Sequence, residues 1–138
     1  MASFPLKIVT SSGLIFDGQA ERLIVRTTDG DMAVMARHIN CVSALGMGRA
    51  VVVIDGQRRT AACIGGMLQV LNGNVTLVPT TFEWAEDIDV ARAEAALEKA
   101  RKVLEENKDD SDAVRIAKAK AKINRALVRR SVAGEILR

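Results

Sequence analysis

The sequence predicts a chain of two unlike parts, an N-terminal all-β domain followed by a C-terminal antiparallel hairpin of two α-helices. Three Asx-Gly pairs separate short apolar segments in the first half, at Asp29-Gly30, Asp55-Gly56 and Asn72-Gly73. Turn signals that recur about every 8–12 residues are typical of a β-sandwich or barrel. After Pro79 the spacing of apolar residues changes to three and four, which is the period of a helix. We place the domain boundary between residues 1–86 and 87–138.

The composition is that of a globular protein, because 49% of the 138 residues are hydrophobic and 27% are charged. Only 3% are aromatic and none is Tyr, which argues against a stacking surface for single-stranded nucleic acid. The first residues lack the pattern of a signal peptide. No apolar run is long enough to cross a bilayer, so we expect no direct membrane insertion.

Alternating and β-branched segments predict the strands, and glycine, asparagine and proline predict where they stop. We expect Asp29-Gly30 to be the centre of a type I′ turn. Asp17-Gly18 should interrupt a strand, Gly65-Gly66 should end one, and Pro79 should end the last. The segment 36–40 is predicted to be a loop. The predicted strands are 6–10, 14–16, 22–28, 31–35, 41–45, 49–54, 59–64, 67–71 and 75–78.

Two amphipathic helices follow, with Asp89 as the predicted N-cap of the first and Asp87 as a competitor. Residues 107–111 contain no apolar side chain and are predicted to join the helices, with Ser111 or Asp112 capping the second. The second helix should end near Val132, with Gly134 at C′. Small side chains bury little area, so we expect the hairpin to be marginally stable alone. The predicted apolar faces are Ala93, Ala96, Leu97, Ala100, Val103 and Leu104, then Ile116, Ala119, Ile123, Ala126 and Leu127.

Charge is distributed unevenly, with a net +2 in residues 1–82, −5 in 83–111 and +6 in 112–138. Five cations on the second helix, at spacings of three and four, form one straight stripe. Like charges without interleaved acids repel each other, which favours an anionic partner over a merely solvated face. DNA is a less favoured acceptor, because the chain has no recognition motif for it. The stripe consists of Arg115, Lys118, Lys122, Arg125 and Arg129.

The chain has few of the side chains that most often bind metals or act in catalysis. Cys41 and Cys63 have no metal-ligand spacing, and with His38 they are too few for a structural zinc site. We expect two buried free thiols and no metal. Ser43 and Asp31 lie near His38 in the sequence, but no nucleophile-elbow pattern supports a catalytic triad. No phosphate-binding loop is present either, so we expect no catalytic residue.

Several short motifs follow one another over nearly the whole length. They are 6–10 with Gly13, Phe16-Asp17-Gly18, 27–31 with Val34, Met35 and His38, 65–70 with 74–78, and 85–89 with Arg92-Ala93. In this order they resemble the epsilon subunit of bacterial and chloroplast F-type ATP synthases. One difference lies in Ala36-Arg37-His38-Ile39-Asn40, where the family usually has Pro-Gly-His-x-Pro.

The resemblance implies a β-sandwich of about ten strands and a regulatory helical hairpin. It implies a non-catalytic rotor-stalk subunit that couples proton flow to ATP synthesis and inhibits ATP hydrolysis through its C-terminal helices. The implied partners are the gamma subunit and the c-ring, bound by the sandwich, and the catalytic beta subunits, bound by the helices. The implied location is peripheral, on the cytoplasmic face of the cell membrane or on the thylakoid membrane. No cofactor is required.

ATP is a regulatory ligand in some members of this family, through Ile/Leu-Asp-x-x-Arg-Ala and basic residues on the second helix. The resemblance carries this to Ile88, Asp89, Arg92 and Ala93, and to Arg125 with Arg129, with Glu83 as a further contributor. Lys99 stands about where nucleotide-binding members tend to have Arg. The residues alone favour the simpler reading that Asp89 is an N-cap. Two alternatives remain open, a stand-alone ATP-sensing module and a basic nucleic-acid-binding adaptor.

Overall fold

The computed structural model describes residues 2–106 and 113–135, and the chain divides into two compact units between Trp84 and Ala85. We call them the strand unit and the helical unit. Within the described residues, the strand unit contains eight strands, and the helical unit contains a 3-10 turn and two helices. The strands are β1 (Phe4–Thr10), β2 (Gly13–Ala20), β3 (Arg22–Thr27), β4 (Gly30–Val34), β5 (Cys41–Ala44), β6 (Met47–Ile54), β7 (Gln57–Leu71) and β8 (Asn74–Trp84).

The strands form one hydrogen-bonded sheet in the order β2-β1-β8-β7-β6-β3-β4, with β5 paired to β7. Leu6 in β1 and Val34 in β4 come from opposite sides of this order, yet they belong to the same buried core cluster. The sheet must therefore fold over on itself, so that its two halves pack face to face. The prediction of an all-β sandwich is confirmed.

The two longest strands, β7 and β8, are paired and bend together at the place where two strand ends were predicted. Up to Ile64, β7 pairs with β6, and from Met67 onwards it pairs with β5, while β8 stays in register throughout. Gly65 and Gly66 have φ values of +68° and +100°, which let the strand bend without ending. A Cβ on Gly66 would overlap the carbonyl oxygen of Val78, so the close approach also requires glycine.

Pro79 lies opposite Gly66 inside β8 and does not end it. The predicted strand ends at Gly65-Gly66 and Pro79 are therefore both wrong. Each long strand contributes to both layers of the sandwich, so the structure has eight strands where about ten were expected.

Two of the three Asx-Gly turns form as predicted. Asp55-Gly56 and Asn72-Gly73 have positive φ at both positions, which is the type I′ pattern. At the first turn Thr27 pairs with Gly30, so the central residues are Thr28 and Asp29, and that prediction is wrong. The Thr27 hydroxyl explains the difference, because it accepts from the Asp29 N–H at 3.1 Å and donates to the Gly30 carbonyl at 2.7 Å.

Two smaller predictions in the strand unit also need correction. Asp17-Gly18 does not interrupt β2, because both residues stay paired with β1. Cys41 and Cys63 are free thiols, but only Cys63 is buried. Cys41 is half-buried. Burial of Cys63 raises the pKa of its thiol to about 12.

The helical unit consists of the 3-10 turn Ala85–Asp87, α1 (Val90–Glu106) and α2 (Ala113–Glu135). The helices are antiparallel, because Arg130 near the end of α2 forms an ion pair with Glu94 near the start of α1. Gly134 lies within α2, so its prediction as a C′ residue is wrong. The predicted loop 107–111 and the predicted caps Ser111 and Asp112 lie outside the described residues. The buried helical side chains are Ala93, Leu97, Ala100, Ala119, Ala126, Val132 and Ala133.

Candidate functional site

The start of α1 is fixed by the predicted cap. The Oδ1 atom of Asp89 accepts a hydrogen bond from the Arg92 backbone N–H at 3.0 Å, and the Asp89 carbonyl accepts from the Ala93 N–H at 3.0 Å. Asp87 belongs to the 3-10 turn and is not the cap. The prediction of Asp89 as N-cap is confirmed, and this carboxylate already has a structural partner.

The basic stripe of α2 lines a groove between the two helices. All five predicted cations border it, and its volume is about 480 Å³. Lys99 of α1 adds a sixth cation from the facing helix. The rest of the lining is aliphatic and comes from Ala96, Ala100, Val103 and Ala119.

The charged side chains that line this basic groove share one sign. Among the described residues that line it, every ionisable side chain is a cation. Glu94 is paired with Arg130 at 3.7 Å, and neither of these two residues lines the groove. Within one Debye length, about 8–10 Å at moderate salt, the cations reinforce each other's potential. Chemically the groove is suited to binding an anion with several oxygen atoms.

The seven residues proposed for ATP come from three parts of the chain. Arg125 and Arg129 line the basic groove. Ile88, Asp89, Arg92 and Ala93 surround the start of α1, where Ile88 and Ala93 are buried and the other two are exposed. No residue of this second group is among the described residues that line the groove. Glu83 is half-buried in β8 of the strand unit.

Sequence reasoning missed how far α1 contributes to the groove. Lys99 was not among the residues predicted for a site, although in the structure it lines the groove together with the stripe. Ala96, Lys99, Ala100 and Val103 recur at helical spacing, so they share one face of α1. This spacing was the signal in the sequence that could have placed Lys99 beside the apolar face of α1. Only the packing of the helices shows which face of α1 meets the cations of α2.

The strand unit has an exposed apolar surface of its own. Ala44, Met67 and Val78 are cross-strand neighbours on β5, β7 and β8, and Val42 lies two residues before Ala44. Val42, Met67 and Val78 are 62%, 52% and 47% exposed. A row of apolar side chains across three strands is a feature of protein-binding surfaces. We call these four residues the apolar row.

His38 and Ser43 do not form the arrangement of a hydrolase. The Ser43 hydroxyl donates to the Met32 sulfur at 3.7 Å. The Nδ1 atom of His38 lies 2.8 Å from the Ile39 carbonyl oxygen and 4.0 Å from the Cys41 sulfur. Asp31 forms an exposed ion pair with Arg26 at 3.4 Å. The three side chains of the considered triad therefore have other neighbours.

Residues 2–106 and 113–135 contain no group of three or more His, Cys, Asp or Glu side chains placed to hold a metal ion. Neither α1 nor α2 has the length and apolar character that a membrane-crossing helix requires.

Comparison with known families matches both units. Residues 3–85 match the family model described as ATP synthase, Delta/Epsilon chain, beta-sandwich domain. Residues 86–134 match the model described as ATP synthase, Delta/Epsilon chain, long alpha-helix domain. The two models meet one residue after the division between the strand and helical units.

Comparison with individual proteins covers nearly the whole chain. An ATP synthase epsilon chain of Caldicellulosiruptor bescii is 36% identical over 98% of this chain and 96% of its own length. One of Bacillus velezensis is 37% identical over 97% of this chain and 99% of its own length. A chain in the cryo-electron microscopy structure of the Euglena gracilis mitochondrial ATP synthase has a TM-score of 0.79. It covers 99% of this chain and 82% of its own length, and at 21% identity it supports the fold alone.

Proposed function

The chain belongs to the family of ATP synthase epsilon chains, and from that premise we propose that it is a non-catalytic subunit of the rotor stalk. In this role it couples proton flow to ATP synthesis and inhibits ATP hydrolysis through its helical unit. The observation that carries the proposal is that both units match the family, in chain order and at close to full length. Its location is then peripheral, on the cytoplasmic or thylakoid face of the membrane that holds the synthase.

The strand unit is the part that binds the stalk. We assign the gamma subunit to the apolar row, because exposed apolar side chains on three paired strands are costly in water and are stabilised by a protein partner. The c-ring would contact the same unit. Replacing Met67 and Val78 with Lys should weaken gamma binding at least tenfold, measured by titration of purified gamma. Leu14→Lys, at an equally exposed leucine outside the row, is the matched control.

Inhibition is assigned to the stripe of α2, because a row of five cations is suited to an anionic protein surface. In one state the stripe borders the groove beside α1, and in an extended state it would meet the acidic segment of a catalytic beta subunit. Ligands shift such a pair of states only as far as they bind one of them better than the other. Contacts between exposed charges are screened by salt, so inhibition should weaken as the ionic strength rises.

The test of inhibition is the ATP hydrolysis rate of reconstituted complexes. Two variants should raise hydrolysis while assembly is retained. One lacks residues 88–138, and the other is the full chain with Lys122, Arg125 and Arg129 all replaced by Ala. The matched control replaces Arg101, Lys102 and Lys120, three cations of the same helices that do not line the groove. Equal hydrolysis with and without residues 88–138, at low and high salt, would exclude inhibition by the helical unit.

ATP is proposed as a regulatory ligand of the helical unit, with its phosphates in the basic groove. Arg125 and Arg129 supply forked donors that suit phosphate oxygens, and Lys99 faces them from α1. Arg125→Ala should weaken ATP binding about tenfold or more, since a hydrogen bond to a charged group contributes roughly that factor. Calorimetric titration of the full chain measures it. No binding by the parent chain at millimolar ATP would refute the idea.

A further inference from the structure

The side chains that line the basic groove are of two kinds only. Six are cations, Lys99 from α1 and the five stripe residues from α2. Four are aliphatic, and they form the surface between the cations. Among the described residues of this lining there is no aromatic ring, no hydroxyl group and no side-chain amide.

Such a lining can bind phosphate, but it has little means of recognising a nucleobase. Lys and Arg side chains only donate hydrogen bonds, whereas the edge of a base offers acceptors and donors together. Stacking, the other common way to hold a base, is left to the guanidinium planes of three arginines, because the described lining has no aromatic ring. No side chain of this lining can accept a hydrogen bond from the amino group of a base. Helix backbone carbonyls do not compensate, because they already accept hydrogen bonds within the helix.

The groove is also long. Arg115 and Arg129 are separated by 14 residues of α2, which at about 1.5 Å per residue corresponds to roughly 21 Å. The cations follow one another along this length at spacings of three and four residues. A single triphosphate can contact part of such a row, and a longer chain of phosphates can contact all of it.

We propose that the basic groove is a site for linear inorganic polyphosphate, and that it recognises phosphate groups without recognising a base. The inference rests on the groove being a ligand site, as in the proposed function, but it changes the class of ligand. A chain of phosphates has no base or sugar to accommodate, and it presents oxygen atoms along its whole length. Single-stranded nucleic acid fits less well, because its bases find no aromatic ring and no side-chain hydrogen-bond acceptor in the described lining.

The first experiment compares ligands by calorimetric titration of the full chain at moderate salt. Tripolyphosphate should bind within about threefold of ATP, because the nucleoside adds no contact. A polyphosphate long enough to pass from Arg115 to Arg129 should bind at least about tenfold more tightly than ATP. An oligonucleotide of matched charge should bind more weakly than this polyphosphate.

The second experiment uses two neighbouring lysines of α2 as a matched pair. Lys118 lines the groove and Lys120 does not, and both are exposed. Lys118→Ala should weaken binding of long polyphosphate about tenfold. Lys120→Ala should change it by less than about threefold. Equal losses in the two variants would show diffuse attraction by the whole helix and would overturn the assignment to the groove.

The remaining outcomes separate this inference from the proposed function. If ATP binds and tripolyphosphate does not, the base or ribose is recognised, and the inference is wrong while the ATP proposal stands. If the oligonucleotide binds as tightly as polyphosphate, the ligand class is wrong. If neither ATP nor polyphosphate binds, both ligand proposals fail, whereas inhibition of hydrolysis is tested separately in the reconstituted complex.

Discussion

The strand unit and the helical unit differ most in what they bury. The strand unit buries large aliphatic side chains completely, with Leu6, Leu23 and Leu68 at 1% exposure or less. The helical unit buries mainly alanine, and Leu97 and Val132 are its large fully buried side chains among the described residues. A buried alanine removes far less apolar area from water than a buried leucine.

This difference predicts that the strand unit is the more stable of the two when each is considered by itself. Each buried leucine contributes about 1.5–3 kcal/mol relative to an exposed one, so the strand unit has a large apolar core of its own. The helices depend on a few larger side chains, the Asp89 cap and the exposed ion pair between Glu94 and Arg130. Segments with few buried apolar contacts open at lower free energy.

The largest effect should come from Leu68→Ala in β7. The residue is fully buried in the core cluster, so its truncation leaves a cavity and should lower the free energy of unfolding of the strand unit by about 2–5 kcal/mol. Urea unfolding followed by Trp84 fluorescence measures this, because Trp84 is the one tryptophan and lies in the same core. Leu97→Ala should leave that transition unchanged. A loss below about 1 kcal/mol for Leu68→Ala would contradict a tightly packed core.

A second prediction concerns pH and Cys63, whose thiol has a pKa raised from 9.0 to about 12 by burial. Above pH 9 the unfolded chain loses this proton while the folded chain keeps it, so the folded state is favoured less as pH rises. Below pH 9 the effect is absent, and above about 12 it no longer grows. Between these limits the strand unit should lose about 1.4 kcal/mol of stability per pH unit from this group.

The control for the pH prediction is Cys63→Ala, which removes the ionisable group from the same site. The parent chain and this variant share every other titration, so the difference between their unfolding free energies isolates the thiol. That difference should be constant below pH 9 and should change steadily above it. A constant difference up to pH 11 would contradict the deep burial of this thiol.

A smaller effect is expected from Asp89→Ala at the start of α1. Losing the cap should destabilise the helical unit by about 1 kcal/mol, because the Arg92 N–H loses its acceptor. Amide exchange in the first turn of α1 should speed up, and the strand unit should be unaffected. Asp89→Asn keeps an acceptor oxygen and should behave like the parent chain. If both variants loosen the helix equally, the charge of Asp89 matters more than the hydrogen bond.

The smallest effect is expected for the ion pair between Glu94 and Arg130. Their side chains are 48% and 44% exposed, and the two charged atoms are 3.7 Å apart. Exposed pairs of this kind contribute about 0.2–1 kcal/mol. A double-mutant cycle with Glu94→Gln and Arg130→Gln should give a coupling energy in that range. A coupling of 2 kcal/mol or more would show that charge pairing, and not the small apolar face, holds the helices together.

The features that the sequence predicted well depend on near neighbours in the chain. The turns at Asp55-Gly56 and Asn72-Gly73, the cap at Asp89 and the straight stripe on α2 all follow from spacings of a few residues. Local rules describe such features because the atoms that stabilise them belong to the same short segment. The resemblance to ATP synthase epsilon chains, read from short motifs, is confirmed by the family comparison.

The strand bends and the shared groove that the sequence did not predict depend on partners far away in the chain. Gly65-Gly66 and Pro79 are strand breakers by local rules, yet they face each other inside two continuous strands, because each needs the geometry that the other strand provides. Lys99 joins the stripe only because α1 packs against α2 with that face. The sequence by itself determined that strands come first and two helices follow, and how charge is distributed along the chain. The pairing of distant segments decided where strands bend and which cations share a groove, since contacts of long range follow from packing and not from local spacing.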